Sequence, residues 1–155
     1  MAFSQVGEYI EDVDSIANMV PIVLQHLQHP NPKIRYASLH CIGQISDDMT
    51  EDFQEKYGSE VLPQLLAVLD DPVPRVSAHC CSAITNFMDG ANEELVTQYL
   101  VALSQKLQGL MKTGISIQKE NAVTAFATTV VVVKEKFDPH FKETTALLLQ
   151  CLNEN

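Results

Sequence analysis

Two side-chain amides, Gln44 and Asn86, stand 42 positions apart, and aspartates follow each about one helical turn later: Asp47 and Asp48 after the first, Asp89 after the second. A side-chain amide both donates and accepts hydrogen bonds, so it can meet the backbone of an extended peptide. A carboxylate can hold a lysine ammonium through a charge-assisted bond. The same residue types also cap helix ends, and spacing alone leaves both readings open.

Other chemistry-bearing groups are weaker candidates. His40-Cys41 and His79-Cys80-Cys81 invite a metal reading, but adjacent helical residues point in different directions and no four-ligand set has zinc spacing. A cysteine–histidine nucleophile needs an orienting third group in a pocket, and the helical neighbours here are apolar. Gly43, Gly90, Gly109 and Gly114 stand singly and follow no strand, so no phosphate loop is read. The expectation is a binding module, with no catalytic, metal or cofactor residues. Arg35 and Arg75 adjoin two-proline turns and are expected to stack on the aspartate of a neighbouring turn, with Asp71 available. Glu8, Glu11, Asp12 and Asp14 read as a solvated acidic loop.

The elements that carry these groups repeat. The stretch from Val20 to Ile34 recurs from Leu62 to Val76, again 42 positions on: an apolar helix, a two-proline turn (His29-Pro30-Asn31-Pro32 and Asp71-Pro72-Val73-Pro74), a basic residue and a second helix. In the first unit, Ile16, Met19, Val20, Val23, Leu24 and Leu27 fall at helical spacing from about residue 14 to 28, and Pro21 predicts a kink. Asn31 can cap the following helix with Pro32 at N1, and Ile34, Ser38, Cys41, Ile42 and Ile45 turn inward. In the second unit, Thr50 is read as the cap of a helix through Phe53, Tyr57, Val61, Leu62, Leu65, Leu66 and Leu69. Its partner carries Val76, Cys80, Ala83, Ile84 and Phe87.

The register continues. Asp47, Glu51, Phe53 and Tyr57 match Asp89, Glu93, Leu95 and Tyr99, then Val131, Glu135, Phe137 and Phe141. A third pair is expected, from about 92 to 111 and from 116 to 134, broken at Gly114. The β-branched run Thr128 to Val133 favours strand by propensity, but the register predicts helix. A short helix from Ala2 to Ile10 should precede the units. A lone first helix, with Pro139 in its first turn and Leu147, Leu148, Leu149 and Leu152 as its stripe, should follow them.

The fold class is therefore all-α: an α-solenoid of antiparallel HEAT-repeat helix pairs with right-handed superhelical stacking and about eight helices. The expected division is 1–12 as the end of a preceding repeat, then repeats 13–48, 49–90 and 91–135, then 136–155 as the first helix of a further one. Without obvious polar caps, the chain reads as part of a longer solenoid. Beyond the core face, the exposed line along the second helices is expected at Tyr36, His40, Gln44 and Asp47, then Ala78, Ser82, Asn86 and Asp89, then Glu120, Thr124 and Thr128.

Charge narrows the partner. The formal net charge is −10, with 20 acidic against 10 basic residues, which disfavours nucleic acid and favours a basic protein or peptide. The longest apolar run, Ala125 to Val133, is far short of the about 20 residues that span a bilayer, and no secretory signal is read. Four cysteines without a CxxC pair suggest free thiols in cytosol or nucleus.

The pair Ile34 to Ile45 and Val76 to Phe87, together with Asp52-Phe53-Gln54-Glu55-Lys56-Tyr57, Ala83-Ile84-Thr85-Asn86-Phe87 and Glu135-Lys136-Phe137-Asp138-Pro139, resembles the importin-β (karyopherin-β) family, closest to its β3 branch. The likeness covers nearly the whole chain and rests on an ordered series of stretches, corresponding to central repeats of a much longer receptor. It implies nuclear import, with lysine-rich localisation segments of cargo bound on the concave face by second helices. It also implies dependence on the GTPase Ran and on nucleoporins through the full-length receptor, and shuttling between cytoplasm and nucleus. Under it, Gln44, Asp47, Asp48, Asn86 and Asp89 become cargo contacts. The competing class is a HEAT-repeat scaffold of the phosphatase-regulatory kind, which would hold partners on its inter-helix loops and need no acidic second helices.

Overall fold

The structure is a computed structural model that describes residues 13–134, 136 and 137. After a short 3-10 helix, Val13–Ile16, come six α-helices: α1 Val20–His26, α2 Pro32–Asp48, α3 Asp52–Val68, α4 Pro74–Asp89, α5 Glu93–Thr113 and α6 Ser116–Val133. The described residues contain no strand. The helices expected at Ala2–Ile10 and around Leu147–Leu152 lie outside the described residues.

Chain chemistry fixes the helix starts. The Asn31 side chain accepts from the Lys33 amide at 3.0 Å and Pro32 opens α2, where its missing N–H costs nothing. Asn92 caps α5 the same way, accepting from Leu95 at 2.8 Å. Two expectations need correction. Pro21 kinks nothing: the long first helix is instead a 3-10 turn followed by α1, and Pro21 sits in the first turn of α1, where no amide donor is required. Thr50 is not the cap of α3. Its hydroxyl donates back to the carbonyls of Ser46 and Asp47, and Glu51, at φ 74°, makes the entry.

Two layers result. The first helices α1, α3 and α5 form one, and the second helices α2, α4 and α6 the other. Within the second layer, contacts between successive helices run at nearly constant separation: Asn86 reaches Gly43, and Asn121 reaches Ala78. Tyr36 stacks on His79 further along the first seam and Gln118 reaches Ser77 along the second, at nearly the same separations, so these helices are parallel. Across the layers the order reverses, since Cys80 bonds to the Leu65 carbonyl while Gln54 bonds to that of Phe87. Each pair is thus antiparallel, as in a HEAT repeat.

One continuous core fills the space between layers. Leu39, Phe53, Val61, Leu62, Leu65, Ile84, Phe87, Leu103, Leu107 and Ala125 are almost wholly buried in it. Full burial of a leucine or phenylalanine stabilises by roughly 1.5–3 kcal/mol. The β-branched tail of α6 is helical because packing against α4 and α5 overrides its strand propensity, and Thr124, Thr128 and Thr129 satisfy their hydroxyls on carbonyls a turn earlier. Among the described residues no helix is long and apolar enough to cross a membrane.

Candidate peptide-binding face

The side of α2, α4 and α6 turned away from the first layer presents one row of residues per helical turn. With 100° per residue, the positions opposite the buried face are Lys33, His40, Gln44 and Asp47 on α2, Arg75, Ser82, Asn86 and Asp89 on α4, and Ile117, Thr124, Thr128 and Val131 on α6. Register thus aligns Gln44 with Asn86 and Asp47 with Asp89 near the C-terminal ends of two parallel helices.

The two amides are used differently. Gln44, half-buried, donates from Nε2 to the Asp48 carboxylate at 2.9 Å, within its own helix. Asn86, also half-buried, donates from Nδ2 to the Gly43 carbonyl at 3.1 Å and so crosses the seam between α2 and α4. The seam is close-packed here: a Cβ on Gly43 would lie in van der Waals contact, 3.4 Å from the Ala83 backbone. Its bond leaves the Asn86 Oδ1 free to accept. Asp47, Asp48 and Asp89 are exposed, and no ion pair engages them among the described residues.

The expected exposed line holds only in part. Ala78 is 1% exposed, because this position faces the neighbouring second helix and is covered by α6, whose Asn121 donates to its carbonyl at 3.0 Å. Tyr36, for the same reason, is half-buried and stacks on His79 with ring centroids 4.0 Å apart. Arg75 departs from its expectation too. It finds no turn aspartate but lies over the Tyr36 ring at 5.5 Å. Arg35 behaves as expected, gripping Asp71 with Nε at 2.6 Å and Nη2 at 2.9 Å while Nη1 donates to the His29 and Pro30 carbonyls.

Several polar groups in the seams carried no obvious sequence signal. Gln118 is buried and donates to the Ser77 hydroxyl at 2.7 Å, while its Oε1 accepts from the Ile115 amide. Asn121 completes the second cross-seam amide. Both could have been found by asking which polar residue lies 41 to 43 positions after a helix-facing neighbour. His79 is squeezed between Tyr36 and His40, and its Nε2 is buried without a hydrogen-bond partner. Burial first, then the nearby His40 and Arg75, lowers its pKa to about 4, so it is neutral at pH 7.

Among the described residues, the thiols of Cys41, Cys80 and Cys81 are all shifted toward the protonated form. Burial raises the Cys80 thiol well above its usual range and pushes Cys81 up to about 12, and Cys80 donates to the Leu65 carbonyl. Burial also raises the pKa of Cys41. Among the described residues no three histidine, cysteine, aspartate or glutamate side chains are placed to hold a metal ion.

Comparison with known proteins agrees with the repeat architecture. A family model described as "Stalled ribosome sensor GCN1-like, HEAT repeats" matches residues 1–132. Importin subunit beta-3 of Saccharomyces cerevisiae is 28% identical over 158 residues, covering 100% of this chain and 14% of that protein. The crystal structure of the karyopherin Kap121p bound to the SUMO protease Ulp1p superposes with a TM-score of 0.93 at 28% identity, over 99% of this chain and 15% of Kap121p. That of Kap121p bound to Nup53p gives 0.92 at the same 28% identity, over 99% of this chain. The chain therefore spans about one-seventh of these relatives' length.

Proposed function

The chain belongs to the HEAT-repeat family of that description and to the importin-β (karyopherin-β) family, and on this premise we propose that it is a cargo-binding segment of a nuclear import receptor. The proposed ligand is an extended, lysine-rich localisation segment laid across the second helices. The observation that carries this reading is the alignment of Gln44 with Asn86 and of Asp47 with Asp89 on parallel helices, with carboxylates that no cation among the described residues neutralises.

The proposed mechanism is additive along the groove. Lysine ammonium groups bond to Asp47, Asp48 and Asp89, while the peptide backbone donates to the open Asn86 Oδ1 and to Gln44. Lysine stems lie along the exposed helix surface between these points. Each contact is worth little when exposed, about 0.2–1 kcal/mol, so affinity comes from many of them and falls with salt. The repeats serving as units are 13–48, 49–90 and 91–135. In a full receptor, Ran would release cargo from elsewhere on the solenoid, nucleoporin contacts would carry it through the pore, and the protein would shuttle between cytoplasm and nucleus.

A titration of a fluorescent lysine-rich peptide tests the reading. Binding at low salt should weaken steadily as salt rises, and Asn86→Ala with Asp89→Ala should weaken it about fivefold, corresponding to about 1 kcal/mol. Absence of binding at low salt, or equal binding by the double variant, refutes the site.

A further inference from the structure

The opposite end of the same groove has a different character. Between the N-terminal ends of α2 and α4 lies a depression of about 380 Å³ lined by Pro32, Lys33, Tyr36, Val73, Arg75 and Val76. Its size is at the small end of ligand pockets, which run about 300–1,000 Å³. The lining combines an apolar base, one aromatic ring and two cations. In a chain of net charge −10, neither Lys33 nor Arg75 has a carboxylate partner among the described residues. Arg35, on the same turn, is different: Asp71 neutralises it.

Two further features add to the positive character. The α4 N-cap, Val73, offers no side-chain acceptor to the first turn, and the nearest carboxylate, Asp71, which accepts from the Val73 amide, is already paired with Arg35, so the helix end still adds a positive pole. Arg75 is held over Tyr36, which fixes the guanidinium at the rim. Because α2, α4 and α6 are parallel, their N-terminal ends share this edge and their C-terminal ends share the edge with Asp47, Asp48 and Asp89. The helix dipoles and the side chains thus polarise the groove in the same direction.

We propose that this depression is a second peptide subsite, which takes an acidic side chain of a bound protein segment together with an apolar neighbour. The carboxylate lies between Lys33 and Arg75, and the apolar neighbour rests on Pro32, Val73 and Val76 beside the Tyr36 ring. The groove then selects segments that are acidic at one end and basic at the other. Lys33 and Asp47 are 14 residues apart on α2, about 21 Å of helix. An extended chain covers that in about six or seven residues.

The test uses the 155-residue chain and a fluorescent peptide with two glutamates flanking a leucine. It should bind at low salt and bind at least tenfold less tightly to Lys33→Gln with Arg75→Gln. Its Glu→Gln counterpart should bind at least tenfold less tightly to the wild type. Asp89→Ala should leave the acidic peptide unaffected, and amide shifts on binding should centre on Tyr36 and Val76. Unfolding midpoints identify any variant that fails to fold, in which case the peptide substitution and the shifts decide. Equal binding of the glutamine peptide, equal binding by a folded double variant, or shifts centred on Asp89 would each overturn the subsite. A phosphoserine peptide in place of glutamate asks whether the site prefers the doubly charged head. Tight binding by the phosphopeptide with none by the glutamate peptide overturns the carboxylate assignment. The lysine-rich peptide is titrated in parallel, so loss of that binding alone refutes the earlier reading and leaves this one standing.

Discussion

At the turns that lead from first to second helices, charge is buried against charge; at the turns that lead back, the buried cross-repeat contacts are neutral and the ion pairs stay exposed. Arg35 and Asp71 join two successive turns of the first kind, with side chains 13% and 6% exposed, and Lys106 reaches Asp70 along the same edge. At the other edge the link between repeats is Gln54, 1% exposed, which donates to the carbonyls of both Ser46 and Phe87. Gly90 completes it by lying directly against the Glu51 backbone. The ion pairs there, Lys56 with Asp14 and Lys136 with Glu93, are exposed and sit at the starts of first helices. The contrast has a functional side. An edge held by neutral groups can leave Asp47, Asp48 and Asp89 uncommitted, whereas an edge held by aspartates cannot.

Removing one aspartate from each edge breaks the comparison most directly. Asp71→Ala strands the Arg35 guanidinium in a mostly buried site and also removes the acceptor of the Val73 amide. The expected cost is about 3 kcal/mol, seen as a fall in the denaturant midpoint at unchanged slope. Asp89→Ala, by contrast, should stay within about 0.5 kcal/mol. Equal losses would mean that the acidic tips of the second helices are structural after all. The side-chain bond from Asp71 raises the Arg35 pKa further, so the guanidinium is charged throughout the accessible range.

How far this contrast was legible beforehand depends on range. The 42-residue register, the starts of α2 and α4 and, to within two residues, the bounds of α5 and α6 could be read because proline, asparagine and glycine mark helix ends by local chemistry, whereas α2 runs three residues past its expected end near Ile45. The Arg35–Asp71 link was legible for a similar reason, as both residues flank repeated turns. Rotation about the helix was not. Tyr36 and Ala78 looked exposed because a single amphipathic wheel knows one buried face, while each inner helix of a solenoid has three: one toward its partner and one toward each neighbouring second helix. Arg75 was misplaced for a related reason. It occupies the register position of Lys33 and not of Arg35, so it points along the groove. The Pro21 and Thr50 errors came from reading one continuous helix across residues 14–28 and a cap from residue type alone. Pro63, its counterpart in the register, does lie inside a helix.

A subtler break targets the neutral edge. A Cβ on Gly90 would come within 2.4 Å of the Glu51 amide nitrogen and 2.7 Å of the Gln54 side chain. The first contact is backbone and cannot yield cheaply. Gly90→Ala should therefore cost roughly 1–3 kcal/mol, by pushing apart α4 and the entry to α3. Gly109→Ala, with nothing within 4 Å, is the control and should be neutral or slightly stabilising. If Gly90→Ala leaves stability intact, the neutral edge is not held by close approach, and Gln54 alone must carry it.

The last contrast lies where the groove crosses from one edge to the other, at His79. Its folded-state pKa of about 4 lies below the unfolded value near 6.5, so between those values the unfolded chain binds more protons. Stability from the neutral, stacked ring is present in full above about 6.5 and is lost as pH falls toward 4. Surface carboxylates titrate near the lower end of that window, so the wild-type slope alone would not isolate the histidine. His79→Phe keeps a flat ring against Tyr36 and cannot be protonated. The unfolding midpoint of the wild type should fall more steeply than that of His79→Phe between pH 6.5 and 5, before most carboxylates respond. Parallel curves would show that water or a shift of Tyr36 solvates the ring on protonation. In that case the aromatic seam between α2 and α4 is looser than the cross-seam bond from Asn86 to Gly43, and the two ends of the groove differ in rigidity as well as in charge.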